Sequence, residues 1–120
     1  MEYEPNIVIE KDGYSIVILS GNSDPLDELD DNVDVQVDCN DGSYYTATLF
    51  SIQNIHSLFA KNKVSGDCAG GLYFSCPDMV IVEKLTEKVV EKLVDHLVDE
   101  KELGTVFTKY SKSESTETYG

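Results

Sequence analysis

Alternation of apolar and polar residues is the strongest pattern in the chain, and it is concentrated in residues 33–59, VDVQVDCNDGSYYTATLFSIQNIHSLF. Val33, Val35, Val37 and Cys39 alternate with Asp34, Gln36 and Asp38. A period of two puts the apolar groups on one face of a strand and the carboxylates on the other. Asn40, Asp41 and Gly42 tolerate the left-handed backbone that a tight hairpin needs, so a second strand is predicted over 43–50. Tyr45, Ala47 and Leu49 fall on one face of it, and Tyr44, Thr46, Thr48 and Phe50 on the other. Large groups on both faces predict an inner strand. The period then changes. Ser51 is placed to cap a helix starting at Ile52, and Ile52, Ile55, Leu58 and Phe59 lie three and four apart along it.

The same reading covers the rest of the chain. NIVIE and YSIVILS, separated by Lys11, Asp12 and Gly13, predict an N-terminal hairpin. The unbroken apolar run 16–19 predicts burial on both faces there. Residues 21–32 (GNSDPLDELDDN) predict an acidic loop, with one helical turn pinned by Leu26 and Leu29. Gly66, Gly70 and Gly71 mark a flexible connection after the first helix. Residues 72–76 predict a short aromatic strand, and Met79–Val82 another that runs on from it or pairs with it. The clearest helix spans 87–103, capped by Thr86 and ended by Gly104. Val89, Val90, Leu93, Val94, Leu97 and Val98 form its apolar stripe. Residues 105–110 predict a last strand, with Val106 and Phe107 on the core. Strands in runs with few helices predict an α+β fold: a mostly antiparallel sheet of five or six strands with two helices packed on one face. A single domain over 1–110 and a disordered polar tail over 111–120 are expected.

Charge narrows the function classes. The 120 residues carry 23 acids, nine lysines and no arginine, a net charge of −14. Most of the excess lies before residue 61: residues 1–32 carry −8 and residues 33–60 carry −3. Such a field repels nucleic acid and anionic membranes and steers basic partners inward. The lack of arginine weakens any phosphate-binding reading further. No apolar run approaches the roughly 18 residues of a membrane helix. There is no charged-then-apolar leader, and the three cysteines (Cys39, Cys68, Cys76) have no paired spacing, so a cytoplasmic protein with free thiols is expected.

Candidate chemistry is sparse. The acidic loop lacks the Asp-x-Asp-x-Asp-Gly core and distal Glu of a calcium loop. Cys68 and Cys76 lack the spacing of a zinc site, and Gly70-Gly71 is not a phosphate loop. A thiol nucleophile would need His56 or His96 near a cysteine, which spacing does not require. Neither a catalytic set, a metal nor a cofactor is therefore expected. The candidate partner-binding residues are Asp24, Asp27, Glu28, Asp30 and Asp31 of the loop, Asp34 and Asp38 of the strand face, and Tyr44 as a contact anchor.

The segments NDGSYYTATLFSIQNI and GLYFSCPDMVIVEKLT, with the closing amphipathic helix, resemble small stand-alone bacterial α+β proteins that carry no assigned activity. The resemblance covers residues 33–103, and its signature positions are Asp41, Gly42, Tyr45, Asn54, Gly71, Asp78 and Met79. In size, acidity and single-domain form the chain is similar to immunity proteins of bacterial toxin–immunity pairs. That resemblance implies a non-enzymatic protein that neutralises a basic toxin domain, such as a nuclease, by direct binding. It transfers no site residues. Three other readings stay open: a nucleic-acid mimic that occupies a DNA-binding protein, a small enzyme using Asp, His or Cys, and a scaffold or homodimer built by edge-strand or helix pairing.

Overall fold

Residues 6–19 and 29–111 are described by the computed structural model. Their hairpins form where the sequence alternates. β1 (Asn6–Glu10) and β2 (Tyr14–Leu19) pair antiparallel, with Val8 opposite Val17. β2 pairs with β3 (Asn32–Cys39), and β3 with β4 (Ser43–Ser51), so that Val35 faces Ile18 on one side and Ala47 on the other. The turn into β4 is closed by the Gly42 amide donating to the Cys39 carbonyl at 3.1 Å. Asp41 fastens it by accepting from the amide and the hydroxyl of Ser43 at 2.9 and 2.6 Å.

β4 is the inner strand its two large faces predict. Beyond it, β5 (Met79–Val82) pairs parallel to residues 48–51, and β6 (Thr108–Ser111) pairs antiparallel to residues 43–46. The fold is thus α+β with one six-stranded, mostly antiparallel sheet.

The register divides the sheet into two faces. The inner face carries Ile16, Ile18, Val33, Val35, Val37, Ala47 and Leu49, all buried. It is covered by α3 (Glu87–Asp99) through Val90, Val94 and Leu97, and by the short α4 (Leu103–Val106), which brings Leu103 and the following Phe107 into the same core. Each such aliphatic group contributes about 1.5–3 kcal/mol by leaving water, which is what seats α3 on the sheet. Thr86 caps α3 by accepting from the Val89 amide at 3.1 Å.

The end of α3 departs from expectation. The helix stops at Asp99, and Lys101 takes the left-handed position (φ 59°). The Lys101 amide donates to the Val98 carbonyl at 3.1 Å and the Glu102 amide to the Leu97 carbonyl at 2.8 Å, which closes a Schellman-type terminus. Gly104, expected to stop the helix, lies inside α4.

Three further expectations are corrected. Val17 and Leu19 are only partly buried, because they lie on the outer face rather than under α3. Residues 72–76 form no strand; Phe74 packs edge-on against Phe50 instead (centroids 5.4 Å, 74°). Residues 61–71 are not a loose connection, since α1 (Ile52–Ser65) runs through to Ser65. α2 (Asp67–Gly71) follows it and includes a left-handed turn at Cys68, Ala69 and Gly70. Gly71 seats this turn against α1: a Cβ there would stand 3.0 Å from the Phe59 carbonyl oxygen. The core face holds no residue of α1 among the described residues. Its apolar stripe is partly buried at Ile55, Leu58 and Phe59 and exposed at Ile52.

Candidate binding surface

The outer face of the sheet combines the alternate residues of every strand. β3 contributes Asp34, Gln36 and Asp38, β4 contributes Tyr44, Thr46 and Thr48, and β6 contributes Thr108 and Tyr110. Asp38 is the cross-strand partner of Tyr44, and Asp34 of Thr48. The Tyr44 ring stacks on Tyr110 at 5.3 Å between centroids and 22° between planes. Glu10 extends the carboxylate series on β1, and Asp78 extends it just before β5.

These carboxylates meet neutral donors. Ser15 donates to Glu10 at 2.7 Å, Thr48 to Asp34 at 2.7 Å and Gln36 to Asp38 at 2.8 Å, while the Thr108 hydroxyl donates to Asp78. A neutral donor orients a carboxylate without cancelling its charge. The one lysine within a strand, Lys109, pairs with Tyr45 and therefore lies on the inner side. The outer face is single-signed as a result. A cleft of about 220 Å³ lies between Asp34, Thr46, Thr48 and Asp78.

Of the acidic loop, Asp24, Asp27 and Glu28 lie outside the described residues. Asp30 and Asp31 take part in a polar joint between the start of β3 and α1. Asp30 accepts from Asn54 Nδ2 at 2.8 Å and from the Ser57 hydroxyl at 2.9 Å, bonds that hold its carboxyl below the usual carboxylate range. The Asp31 carbonyl accepts from the Ser51 amide at 3.0 Å. Ser51 is fully buried and performs three tasks: it caps α1 by accepting from the Asn54 amide at 3.2 Å, accepts from the Asp31 amide at 3.2 Å and donates to the Leu29 carbonyl at 2.7 Å. Sequence reasoning missed this joint, although Ser51 as a helix cap is its visible half.

On the opposite side, Lys11 joins the first hairpin to α3. Its ammonium lies 2.6 Å from Glu91 and 3.0 Å from Asp95, and these bonds hold its pKa above the ordinary lysine value. The Tyr14 hydroxyl donates to Asp95 at 2.5 Å. Burial, with this bond, pushes the Tyr14 pKa up to about 12. Burial works to raise the Asp95 pKa, but the bonds from Tyr14 and Lys11 outweigh it and lower it.

Thus Asp34, Asp38 and Tyr44 share one surface, whereas Asp30 and Asp31 lie at the joint with α1. Tyr110, Asp78 and Glu10 are the members of the surface that sequence reasoning missed. Thr108 and Tyr110 alternate correctly, but only the β4–β6 register places them beside Tyr44. His56 and His96 are both exposed, on α1 and α3, and neither lines the cleft beside Asp34. Cys39, Cys68 and Cys76 are free thiols. Among the described residues, no three His, Cys, Asp or Glu side chains are grouped to hold a metal ion, and no helix is long and apolar enough to cross a membrane. No protein-family model matches the chain, and neither a curated protein nor a solved structure does.

Proposed function

We propose that this chain is a non-enzymatic binding protein that neutralises a basic partner by direct contact, in the manner of an immunity protein against a toxin domain. The observation that carries the reading is the single-signed outer face. Glu10, Asp34, Asp38 and Asp78 stand there without a strand lysine, beside a stacked Tyr44–Tyr110 pair. Carboxylates at this density accelerate encounter with a positive surface and reject negative ones. Tyrosines then supply contact area at low entropic cost, which is why they are enriched at binding hot spots.

Mimicry of nucleic acid receives less support from the same face. Asp34 and Asp38 are four residues apart on one strand, about 13 Å. Duplex DNA presents one charge per roughly 1.7 Å of axis, so this face is a sparse copy.

The test compares the wild-type chain with the triple variant Asp34→Asn, Asp38→Asn, Tyr44→Ala. Both are titrated against basic toxin domains encoded beside this gene, with association followed by stopped-flow fluorescence at low and high salt and toxin activity assayed in parallel. The reading expects stoichiometric inhibition by the wild type, with slower association for the variant and a shallower dependence on salt. A toxin bound and inhibited equally by both proteins would move the interface off this face. Failure of every adjacent basic domain to bind would end the immunity reading.

A further inference from the structure

A second cleft, independent of the acidic face, lies at the opposite end of the core. It is an open cleft of about 490 Å³ where the β1–β2 turn and the ends of β3 and β4 meet the last turn of α3 and the start of α4. Its walls are Tyr14, Cys39, Tyr45, Leu97, Val98 and Leu103. Leu97 and Leu103 belong to the buried core, so the floor is rigid. The Tyr14 ring is fixed by its hydroxyl bond to Asp95, a carboxylate that Lys11 also holds. The volume falls within the roughly 300–1,000 Å³ of small-molecule pockets, and an apolar pocket with a few polar groups at its edge is the usual form of such a site.

Three details point to what would enter it. Among the described residues, its charged lining residues are Asp12 and Lys101, of opposite sign, so in a chain of net charge −14 this cleft is locally neutral. Gly13 and Gly104 also line it, and their missing side chains keep it open. A Cβ on Gly104 would touch the Tyr45 ring at 3.5 Å, in ordinary contact, so any larger group there would grow into the space. Burial raises the Cys39 thiol above its ordinary pKa, in keeping with an apolar wall. We infer that the cleft between Tyr14, Tyr45 and α3–α4 is a binding site for an uncharged, flat aromatic small molecule, its ring lying against the two tyrosines. This site does not depend on the partner-binding reading.

The test uses the full chain and the uncharged probe N-phenyl-1-naphthylamine, whose fluorescence rises in apolar surroundings. Saturable one-to-one binding is expected, with the anionic relative 1-anilinonaphthalene-8-sulfonate binding more weakly. Gly104→Leu should weaken probe binding about tenfold or more, a loss of about 1.4 kcal/mol for each factor of ten. The paired change Leu72→Ser, Tyr73→Ser, at two exposed residues after α2, should leave it unchanged. In a Cys68→Ser, Cys76→Ser background the probe should also slow the reaction of Cys39 with a thiol reagent, a readout that leaves the cleft unaltered should Gly104→Leu fail to fold. The inference is overturned if no saturable binding occurs, if Gly104→Leu folds and binds as well as the wild type, or if Cys39 reacts equally fast with and without the probe. Loss of binding in the Leu72→Ser, Tyr73→Ser variant, or tighter binding of the anionic probe, would overturn it as well.

Discussion

Replacing Gly71 by alanine should destabilise the chain by about 2–5 kcal/mol, from two separable causes. Gly71 has φ +83°, and an L-residue in that region costs roughly 1–2 kcal/mol. The added Cβ would also meet Lys63 Cγ at 2.5 Å, the Phe59 carbonyl oxygen at 3.0 Å and the Lys63 amide nitrogen at 3.1 Å. The lysine side chain is exposed and can swing away. The other two atoms are backbone of α1 and cannot move without bending the helix, and overpacking of that kind costs about 1–3 kcal/mol.

Gly66→Ala isolates the first cause. Gly66 has φ +90°, yet a Cβ there would meet nothing within 4 Å. The two variants are compared by urea unfolding. With a slope of roughly 2 kcal/mol per molar, the midpoint should fall by about 1–2.5 M for Gly71→Ala and by about 0.5–1 M for Gly66→Ala. Equal midpoints would refute the close approach of α2 to α1. Amide hydrogen exchange adds location. α1 and α2 pack mainly on each other, so α1 amides should exchange faster in Gly71→Ala while those of β2 and β3 stay protected.

Ser51→Ala removes, from a fully buried side chain, both a helix cap and the 2.7 Å bond to the Leu29 carbonyl; a loss of about 2–3 kcal/mol is expected in thermal melts, and a loss under 1 kcal/mol would contradict the joint. Ala69→Gly should stabilise by about 0.5–1 kcal/mol, because Ala69 sits at φ 56°, and a destabilised variant would argue against the left-handed turn. Stability should also fall at both extremes of pH. The Tyr14 and Lys11 pKa values are raised in the fold, so their contribution is complete below about pH 10 and is lost as pH rises further, through about 12 for Tyr14; Tyr14→Phe should flatten that alkaline limb in pH-dependent melts. Those of Asp30, Asp41 and Asp95 are lowered, so their contribution is present above about pH 4 and is lost on acidification; Asp95→Asn should make the acid limb shallower.

The strands that alternate were legible because periodicity is a property of the residues themselves. Val33, Val35 and Val37 name their face, and the facing set Asp34 and Asp38 follows. Thr86 and Ser51 announce helix starts for the same local reason. What was not legible depends on partners. Tyr73 and Phe74 have strand propensity, but Phe74 is drawn to cover Phe50, a contact set by the path of α1 and α2. The direction of β5 is set by that crossover and not by its four residues. Lys101 occupies a position that local rules give to glycine, so Gly104 was the natural candidate for the helix end. The cleft beside Cys39 was invisible because the β1–β2 turn, β2, β3, β4, α3 and α4 all meet around it, and no one segment marks it.

The placement of charge bears on whether the acidity serves more than solubility. On the exposed side of α3 the signs are mixed, with Glu87, Lys88, Lys92 and Asp99 in sequence, as on a surface that only needs to stay wet. The outer sheet face is different, since its strands contribute carboxylates and no lysine. Such a face would be expected to strain the sheet by repulsion. The strain is small here: Asp34 and Asp38 are about 13 Å apart, beyond the roughly 8 Å over which charges interact at physiological ionic strength. A basic surface settling on the face meets several of these carboxylates at short range together, so its attraction is summed where the mutual repulsion is screened. The arrangement therefore costs the fold little while presenting a field that a partner would feel, and that asymmetry is the physical reason to look for the partner on this face.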